Sequence, residues 1–317
     1  MTDQTAWHFL LNPAAGRGKA MRRWREILPQ LKAALPNMTV AQSTPEDGMA
    51  ALAEAAVRAG KTFLVGAGGD GTHHDIVNGI VRAGGLGRVT YAPLPLGTGN
   101  DWVRTLKTPR RTAQWLDMIY RKITMKHRVG KLEYAPIVTS ATTALPITHY
   151  PLQTTYFINV AGLAYDAEVV RRSETARIKH PLLYPLYTLR YLKDFTPPWA
   201  VVRYNDEVLK GYVHTINLGI GRYNGGGMQL VPHADPTADT FALTVARKLP
   251  IGKIIKSSWR FYTDTIGAID EVTTAHSDRV VITPAQDIVT LEADGELLGV
   301  APVTATLLNE YLRVVVP

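Results

Sequence analysis

Cysteine is absent from all 317 residues. Disulfides, thiolate nucleophiles and thiolate metal sites are thereby excluded, which suits a reducing cytoplasm without demanding it. No apolar run approaches the roughly 18 residues that would cross a bilayer as a helix. The polar start Met1–Ala6 and the short apolar run Trp7–Leu11 lead us to expect no secretory leader. No G-x-x-x-x-G-K-[ST] pattern occurs, since GRGKA at 16–20 lacks a hydroxyl after its lysine, and H-E-x-x-H spacing is missing too. His73 and His74 are adjacent, so on a helix they point apart and suit face or capping roles better than one shared metal. No Ser-His-Asp order can be argued. Acids are also missing between Asp75 and Asp101. That matters because Gly66, Gly68 and Gly71 satisfy the dinucleotide fingerprint G-x-G-x-x-G, which wants a ribose-binding acid about 20 residues on. Arg88 could serve a 2′-phosphate, so an NADP reading is weakened without being removed.

What is present is glycine, placed after apolar strands. Residues 64–79 read LVGAGGDGTHHDIVNG. Glycines at 66, 68, 69 and 71 would permit positive φ and close approach to a ligand, and Thr72 can cap the helix that follows. Helix N-termini attract phosphate, and Asp70 among these glycines points to a divalent cation or a proton to be taken up. A plain strand-to-helix turn is the bland reading. Two further turns favour the functional one: PLPLGTGND at 93–101, where Asn100 and Asp101 open a helix, and NPAAGRGKA at 12–20, which supplies Arg17 and Lys19. Adjacent parallel strands would bring all three loops to one carboxyl edge.

The first 125 residues alternate strand and helix signals: Trp7–Leu11, Gly18–Leu35, Thr39–Gln42, Glu46–Ala59, Thr62–Val65, Thr72–Ala83, Arg88–Ala92 and Asp101–Leu106. Thr44 and Pro45 read as a helix start. This is the rhythm of an α/β parallel sheet. Beyond about residue 125 come strand signals at Thr154–Val160, Ala200–Tyr204, Tyr212–Gly219, Thr240–Ala246, Arg279–Thr283 and Ile288–Leu291, predicting a mainly antiparallel second domain. Ala135–Pro151 reads as an irregular insertion.

Net charge is +8, with nine Lys or Arg against Asp101 and Asp117 between residues 101 and 131. A second basic group, Arg171, Arg172, Arg177, Lys179, Arg190 and Lys193, surrounds PLLYPLYTLRYL at 181–192. Bases beside Leu and Tyr describe either an interfacial segment, with Leu182, Leu183, Leu186 and Leu189 entering the headgroup boundary, or a core helix with a basic rim. No nucleic-acid reader motif is found, so no nucleic acid partner is expected.

Taken in order, NPAAGRGKA, GGDGTHHDIVNG, PLGTGND, GLAYDA at 162–167, GRYNGGGMQLVP at 221–232 and DGE at 294–296 resemble the diacylglycerol kinase catalytic-domain family, which includes bacterial lipid kinases and is related to sphingosine and ceramide kinases. The resemblance covers nearly the whole chain. It implies an NAD-kinase/diacylglycerol-kinase-like α/β domain over 1–127 with 307–317, whose last strand Tyr311–Val316 returns to it, and a β-rich lipid domain over 128–306. It implies ATP and Mg²⁺ as cofactors and transfer of the γ-phosphoryl group to the hydroxyl of a diacylglycerol, phosphatidylglycerol or sphingoid lipid, by a cytoplasmic protein peripheral to the inner membrane face and able to form a homodimer. Asn12, Pro13, Ala14, Ala15, Gly16, Arg17, Thr44, Gly68, Gly69, Gly71, Thr72 and Thr98 would line the nucleotide. Asp70, Asp101 and Asp239 would serve metal, with Asp101 acting at one remove, and Asp70 would also belong to the catalytic set. Glu296 or Asp294 would take the acceptor's proton. Three positions depart from the family pattern: Thr240 replaces the usual glycine after Asp239, Arg128 stands where an aspartate is common, and Asp75 where glutamate is usual. A soluble small-molecule kinase of the NAD-kinase type and a non-catalytic lipid- or nucleotide-binding regulator are the alternatives.

Overall fold

A computed structural model describes residues 5–137, 151–175 and 190–317. The chain forms two compact units, residues 1–129 with 309–317, and residues 130–308.

The first unit alternates β1 (His8–Leu11), α1 (Lys19–Ala34), β2 (Thr39–Gln42), α2 (Met49–Arg58), β3 (Phe63–Gly68), α3 (Asp70–Arg82), β4 (Thr90–Pro95), α4 (Asp101–Thr105), α5 (Thr112–Arg121) and β5 (Thr124–His127). Hydrophobic periodicity explains the helices: Ala20, Trp24, Ile27 and Leu31 form the buried stripe of α1, at the three-to-four-residue spacing of one helical face. Strands β3 and β4 are apolar almost throughout because helices cover both faces of a parallel sheet. Strand order is β2-β1-β3-β4-β16-β5, where β16 (Leu312–Val315) arrives from the far end of the chain, parallel to β4 and antiparallel to β5. The expected return of the last strand is therefore met.

Local expectations needed adjustment. α2 begins at Met49 after Gly48 and not at Pro45, because Thr44 Oγ1 accepts the amide of Asp47 and closes a turn instead of a helix cap. Helix α5 carried no signal of its own in the reading, and β5 belongs to the first sheet although the helical rhythm has ended by then.

The second unit contains β6 (Gly130–Ala135), β7 (Gln153–Phe157), β8 (Val160–Ala164), α6 (Tyr165–Thr175), β9 (Trp199–Tyr204), β10 (Glu207–Gly219), β11 (Phe241–Arg247), α7 (Ile251–Ser257), β12 (Val272–Ser277), β13 (Arg279–Pro284), β14 (Thr290–Ala293) and β15 (Glu296–Leu307). All its pairings are antiparallel. The 13-residue β10 pairs with β9 along its first half and with β8 along its second, and β8-β14-β15-β13-β9 completes the ring. A closed ring of six strands results, from which β11 and β12 branch at β10 and β6 and β7 branch at β15. Phe157, Leu163, Val202, Ile216, Leu218, Ile282, Leu291 and Val303 belong to its core. The segment read as one strand, Thr154–Val160, is two, broken at Ile158 and Asn159. Most of the insertion expected at Ala135–Pro151 lies outside the described residues, as do Arg177, Lys179 and the four leucines at 182, 183, 186 and 189.

Candidate active site

Loops following β1, β2, β3 and β4 all leave the carboxyl edge of one parallel sheet, since these strands are neighbours in it. That is where ligands bind in open α/β sheets. Asn12 ties the first loop to the third strand: its amide N–H donates to Ala67 O (3.0 Å), its Nδ2 to Thr72 Oγ1 (3.0 Å), and its Oδ1 accepts the amide of Ala14 (3.1 Å). Pro13 lies between Asn12 and Ala14, and the Ala15 amide turns back to Asn12 O (3.3 Å). Gly16, Arg17 and Gly18 follow with φ of 58°, 59° and 80°. Three consecutive left-handed residues close a tight turn, in which the Gly18 amide donates to Ala14 O (3.1 Å) and the Lys19 amide to Gly16 O (3.4 Å). Gly18 then stands as the N-cap of α1 and supplies no capping side chain.

The glycines of GGDGT act differently from expectation. Positive φ is found in the 16–18 loop, not at Gly66, Gly68, Gly69 or Gly71. Their role is space. A Cβ at Gly68 would lie 2.3 Å from Thr72 Oγ1, and one at Gly97 would lie 2.4 Å from the Cα of Gly69, so two backbones touch with nothing between them. Leu96 N and Gly97 N both donate to Gly68 O at 2.8 Å. Gly66 makes room for the Tyr91 hydroxyl, 1.9 Å from its would-be Cβ, so one glycine of the apparent dinucleotide fingerprint is a core requirement. Thr72 is not the N-cap of α3. Gly69 takes that place and Thr72, three positions on, accepts the Gly69 amide (3.4 Å).

Asp70 caps a helix other than its own: its Oδ1 accepts the amide of Trp102 (3.1 Å) at the start of α4. Asn100, expected to help open that helix, is left-handed and donates its Nδ2 to Gly97 O (2.7 Å). Gly99 is bordered by both acids, its would-be Cβ lying 3.1 Å from Asp70 Oδ2 and 4.0 Å from Asp101 Oδ2. Arg104 Nε stands 3.8 Å from Asp101 Oδ1. Gly16, whose would-be Cβ is 3.6 Å from Thr98 Oγ1, brings the first loop against the third, while Thr44 is exposed on the neighbouring β2 loop.

Beneath the loops lies an aromatic layer that the motif reading missed. His73 Nδ1 and Tyr91 Oη are 2.6 Å apart, Trp102 stacks on Tyr91 with centroids 6.0 Å apart, and Trp102 Nε1 donates to His127 Nε2 (2.9 Å). Burial pushes the His73 imidazole down to about 3, so it is a neutral core group at physiological pH. The signal was available as Tyr and Trp flanking the glycine turns. His74 is buried too.

In the second unit, DGE is the two-residue hairpin turn between β14 and β15, with Asp294 and Gly295 at φ 54° and 88°. A bare hairpin would leave Asp294 pointing anywhere. Here its carboxylate is buried and accepts two backbone amides, from Asn159 (2.9 Å, Oδ1) and Ile158 (3.1 Å, Oδ2). Asn159 in turn donates to Tyr223 O (2.8 Å) in the GRYNGGGMQLVP loop. Glu296, two residues on, is exposed. Glu292, which sequence reasoning passed over, accepts the Gly295 amide (3.0 Å) and is fully buried facing Gly162 and Asp166. Burial and the neighbouring Asp166 raise its carboxyl well above the ordinary range. Burial likewise raises the Asp166 carboxyl to about 6, against the opposing hydrogen bond it accepts from Thr215 Oγ1 (3.0 Å). Asp239 is exposed in the turn before β11, and no cluster of three or more His, Cys, Asp or Glu suited to a metal occurs among the described residues.

A parallel sheet with glycine-rich loops at its carboxyl edge, joined in one chain to an antiparallel barrel, defines the fold class shared by diacylglycerol kinases and NAD kinases. The crystal structure of a diacylglycerol kinase from Bacillus anthracis str. Sterne matches 100% of this chain and 98% of its own with TM-score 0.69 at 19% identity, and yeast NADH kinase complexed with NADH matches 99% and 84% with TM-score 0.52 at 12% identity. In sequence, the profile of the diacylglycerol kinase catalytic domain matches residues 6–132 and that of the YegS C-terminal NAD kinase beta sandwich-like domain matches 159–316. The diacylglycerol kinase of Bacillus subtilis (strain 168) is 24% identical over 315 residues, covering 97% of this chain and 95% of that one. The chain belongs to the diacylglycerol kinase catalytic-domain family.

Proposed function

We propose that this kinase-family chain transfers the γ-phosphoryl group of ATP to the hydroxyl of a membrane lipid. The observation that carries the reading is the meeting of the 12–18, 68–72 and 96–101 loops over Asp70 at one sheet edge. Phosphoryl transfer asks for position and charge neutralisation more than for covalent help. Backbone amides of Asp70, Gly71 and Thr72 at the N-terminus of α3, with Arg17, would hold phosphates. Asn12, Thr44 and Thr98 would line the rest of the nucleotide.

Two carboxylates beside Gly99 fit Mg²⁺, which is bound through one or two acids plus the substrate's own phosphates. Asp70 would hold the ion, and Asp101 would hold its water shell. Bound there, Mg²⁺ would neutralise charge on the phosphates. Asp239, remote from these loops in sequence, would hold a separate structural ion. Glu296 takes the acceptor's proton in this reading: Asp294 is committed through both oxygens to the backbone at 158–159, and Glu296, the exposed acid two residues on, is the other candidate. Glycerol and sphingoid hydroxyls are equally suited as acceptors.

Incubation with γ-labelled ATP, a total lipid extract and NAD⁺, followed by identification of the labelled product, tests the proposal. Label in NAD⁺ but no lipid would replace it with the soluble-kinase reading. Asp70→Asn should lower kcat by about 10² or more while leaving Tm within a few degrees, because the remaining oxygen still caps α4. Undiminished kcat at saturating Mg²⁺ would take Asp70 out of the mechanism.

A further inference from the structure

Between Thr240 and Thr263 the chain holds five Lys or Arg and no Asp or Glu. Within that stretch α7 runs directly into a 3₁₀ turn, Ser258–Tyr262, and neither element has a buried residue. Their inward side is nevertheless apolar: Ile254 and Phe261 pack on Leu230, Leu249 and Ile266. Their outward side is apolar as well. Ile251, Ile255, Trp259 and Tyr262 are 39%, 52%, 53% and 49% exposed, at spacings of four, four and three that set them in one row. Tyr212, 53% exposed, lies beside Lys248 just ahead of α7: the Lys248 amide donates to its carbonyl (2.9 Å) and Lys248 Nζ lies 5.4 Å from its ring.

Docking to its own unit needs only one apolar face. The second face, with two aromatic residues about half exposed, is what a surface carries when it has a partner. The cations decide which one. Lys253 is engaged by Glu271 (2.6 Å) and Asp270 (3.4 Å), but Lys256 is exposed beside Ile255, and the Arg260 guanidinium, which gives one N–H to Thr265 O (3.2 Å), lies 4.7 Å over the Trp259 ring. A second copy of the chain would set these cations against their like, and lysine is depleted from protein interface cores. An anionic bilayer offers apolar chains to the row and phosphates to its flanks.

We infer that α7 and the turn after it are a membrane-docking surface, with Ile251, Ile255 and Trp259 entering the headgroup boundary of an anionic bilayer and Lys256 and Arg260 meeting lipid phosphates. The inference rests on the lipid-kinase reading, for which it supplies the route to a substrate held in that bilayer. It also enlarges the basic segment singled out at 171–193. Ile254 packs against Tyr165, Val169 and Leu192 as well, so exposed Arg190 and Lys193 and the α7 row belong to neighbouring parts of one unit.

Tryptophan fluorescence tests this without reference to catalysis. Trp7, Trp24, Trp102 and Trp115 are buried and Trp199 is partly so, leaving Trp259 as the exposed reporter. Vesicles of phosphatidylcholine mixed with phosphatidylglycerol should shift its emission to the blue, and brominated acyl chains should quench it; phosphatidylcholine alone should do so more weakly. Trp259→Phe should remove the response yet still sediment with vesicles. Partition should drop by about tenfold or more in the double variant Ile255→Glu, Trp259→Glu, and about fivefold in Lys256→Gln, with Tm kept. Activity on detergent-dispersed lipid should stay within about twofold. Equal binding to neutral and anionic vesicles, undiminished partition of the double variant, or a concentration-dependent dimer that the double variant abolishes would overturn the inference. Vesicle binding with no lipid phosphorylated in any medium would sink the kinase reading and leave the surface standing. Phosphorylation in detergent with a silent Trp259 would do the reverse.

Discussion

At the scale of single residues, two neighbouring acids part company. Sequence spacing left Asp294 and Glu296 as equal candidates for the proton acceptor, and no inspection of D-G-E could separate them. The structure shows Asp294 accepting two amides. Asp294→Asn would present an NH₂ to one of those donors, leaving a buried donor unmatched at a cost of about 1–3 kcal/mol. Thermal unfolding should therefore register Asp294→Asn strongly and Glu296→Gln hardly at all, whereas kcat should fall in Glu296→Gln with the KM for ATP within several-fold. A Glu296→Gln enzyme of normal kcat would place the base elsewhere. Asp166 gives a pH signature. Its carboxyl, raised to about 6 from an ordinary 3.8, binds its proton better in the folded state, so the stability it contributes is present below pH 3.8 and lost as pH rises through 6. His73 and His214, pushed down to about 3 and about 4, act oppositely and lose stability as pH falls below 6.5. The difference between Asp166→Asn and the parent reports Asp166 with its coupled neighbour Glu292: relative to the parent, the variant should gain on the order of a few kcal/mol in denaturant unfolding between pH 4 and 7. A flat difference would show that Asp166 is ionised throughout.

At the scale of elements, glycine motifs were legible as loops and misread as torsions. A string of letters cannot say whether glycine is there for positive φ or for want of a Cβ. GGDGT and PLGTGND are cases of the second kind, set by the contact of Gly69 with Gly97, and that contact depends on two strands being neighbours. Gly97→Ala is accordingly predicted to force the loops apart, because the obstacle is backbone and not a movable side chain. Stability should drop by about 1–3 kcal/mol, and the KM for ATP should rise more than kcat falls. Normal ATP affinity in that variant would show that the two loops do not share the nucleotide. Helices with long amphipathic stripes, such as α1, were readable to within a residue or two, whereas the start of α2 was not. Thr44 and Pro45 have the chemistry of a cap, but Thr44 spends its hydroxyl on a turn. The outward row of α7 escaped notice because its isoleucines and aromatics look like any core helix until the inward face is seen to be filled by other residues.

At the scale of the whole molecule, the alternation of the first 125 residues announced the parallel sheet, and the run of short β segments announced the antiparallel unit. Closure of the barrel was not legible, since it turns on β10 serving two neighbours in succession. The first unit is discontinuous in sequence: β16 fills the place between β4 and β5, with Leu312 and Val314 fully buried. Removing residues 309–317 should leave β4 without its neighbour and expose apolar surface, so we expect a truncated chain to aggregate or to bind a hydrophobic dye, while the barrel's near-ultraviolet signal persists. A truncated chain with unchanged nucleotide binding would show that the sheet holds without its inserted strand. The same insertion sets an order on biosynthesis. When the ribosome has made the last residue of β5, roughly 180 residues must still be polymerised before the strand that belongs beside it exists. At about 5–20 residues per second that is a wait of some 10–40 s, during which the nucleotide-binding half of the nascent polypeptide presents a gap in its sheet to the chaperones while the barrel behind it is already free to close.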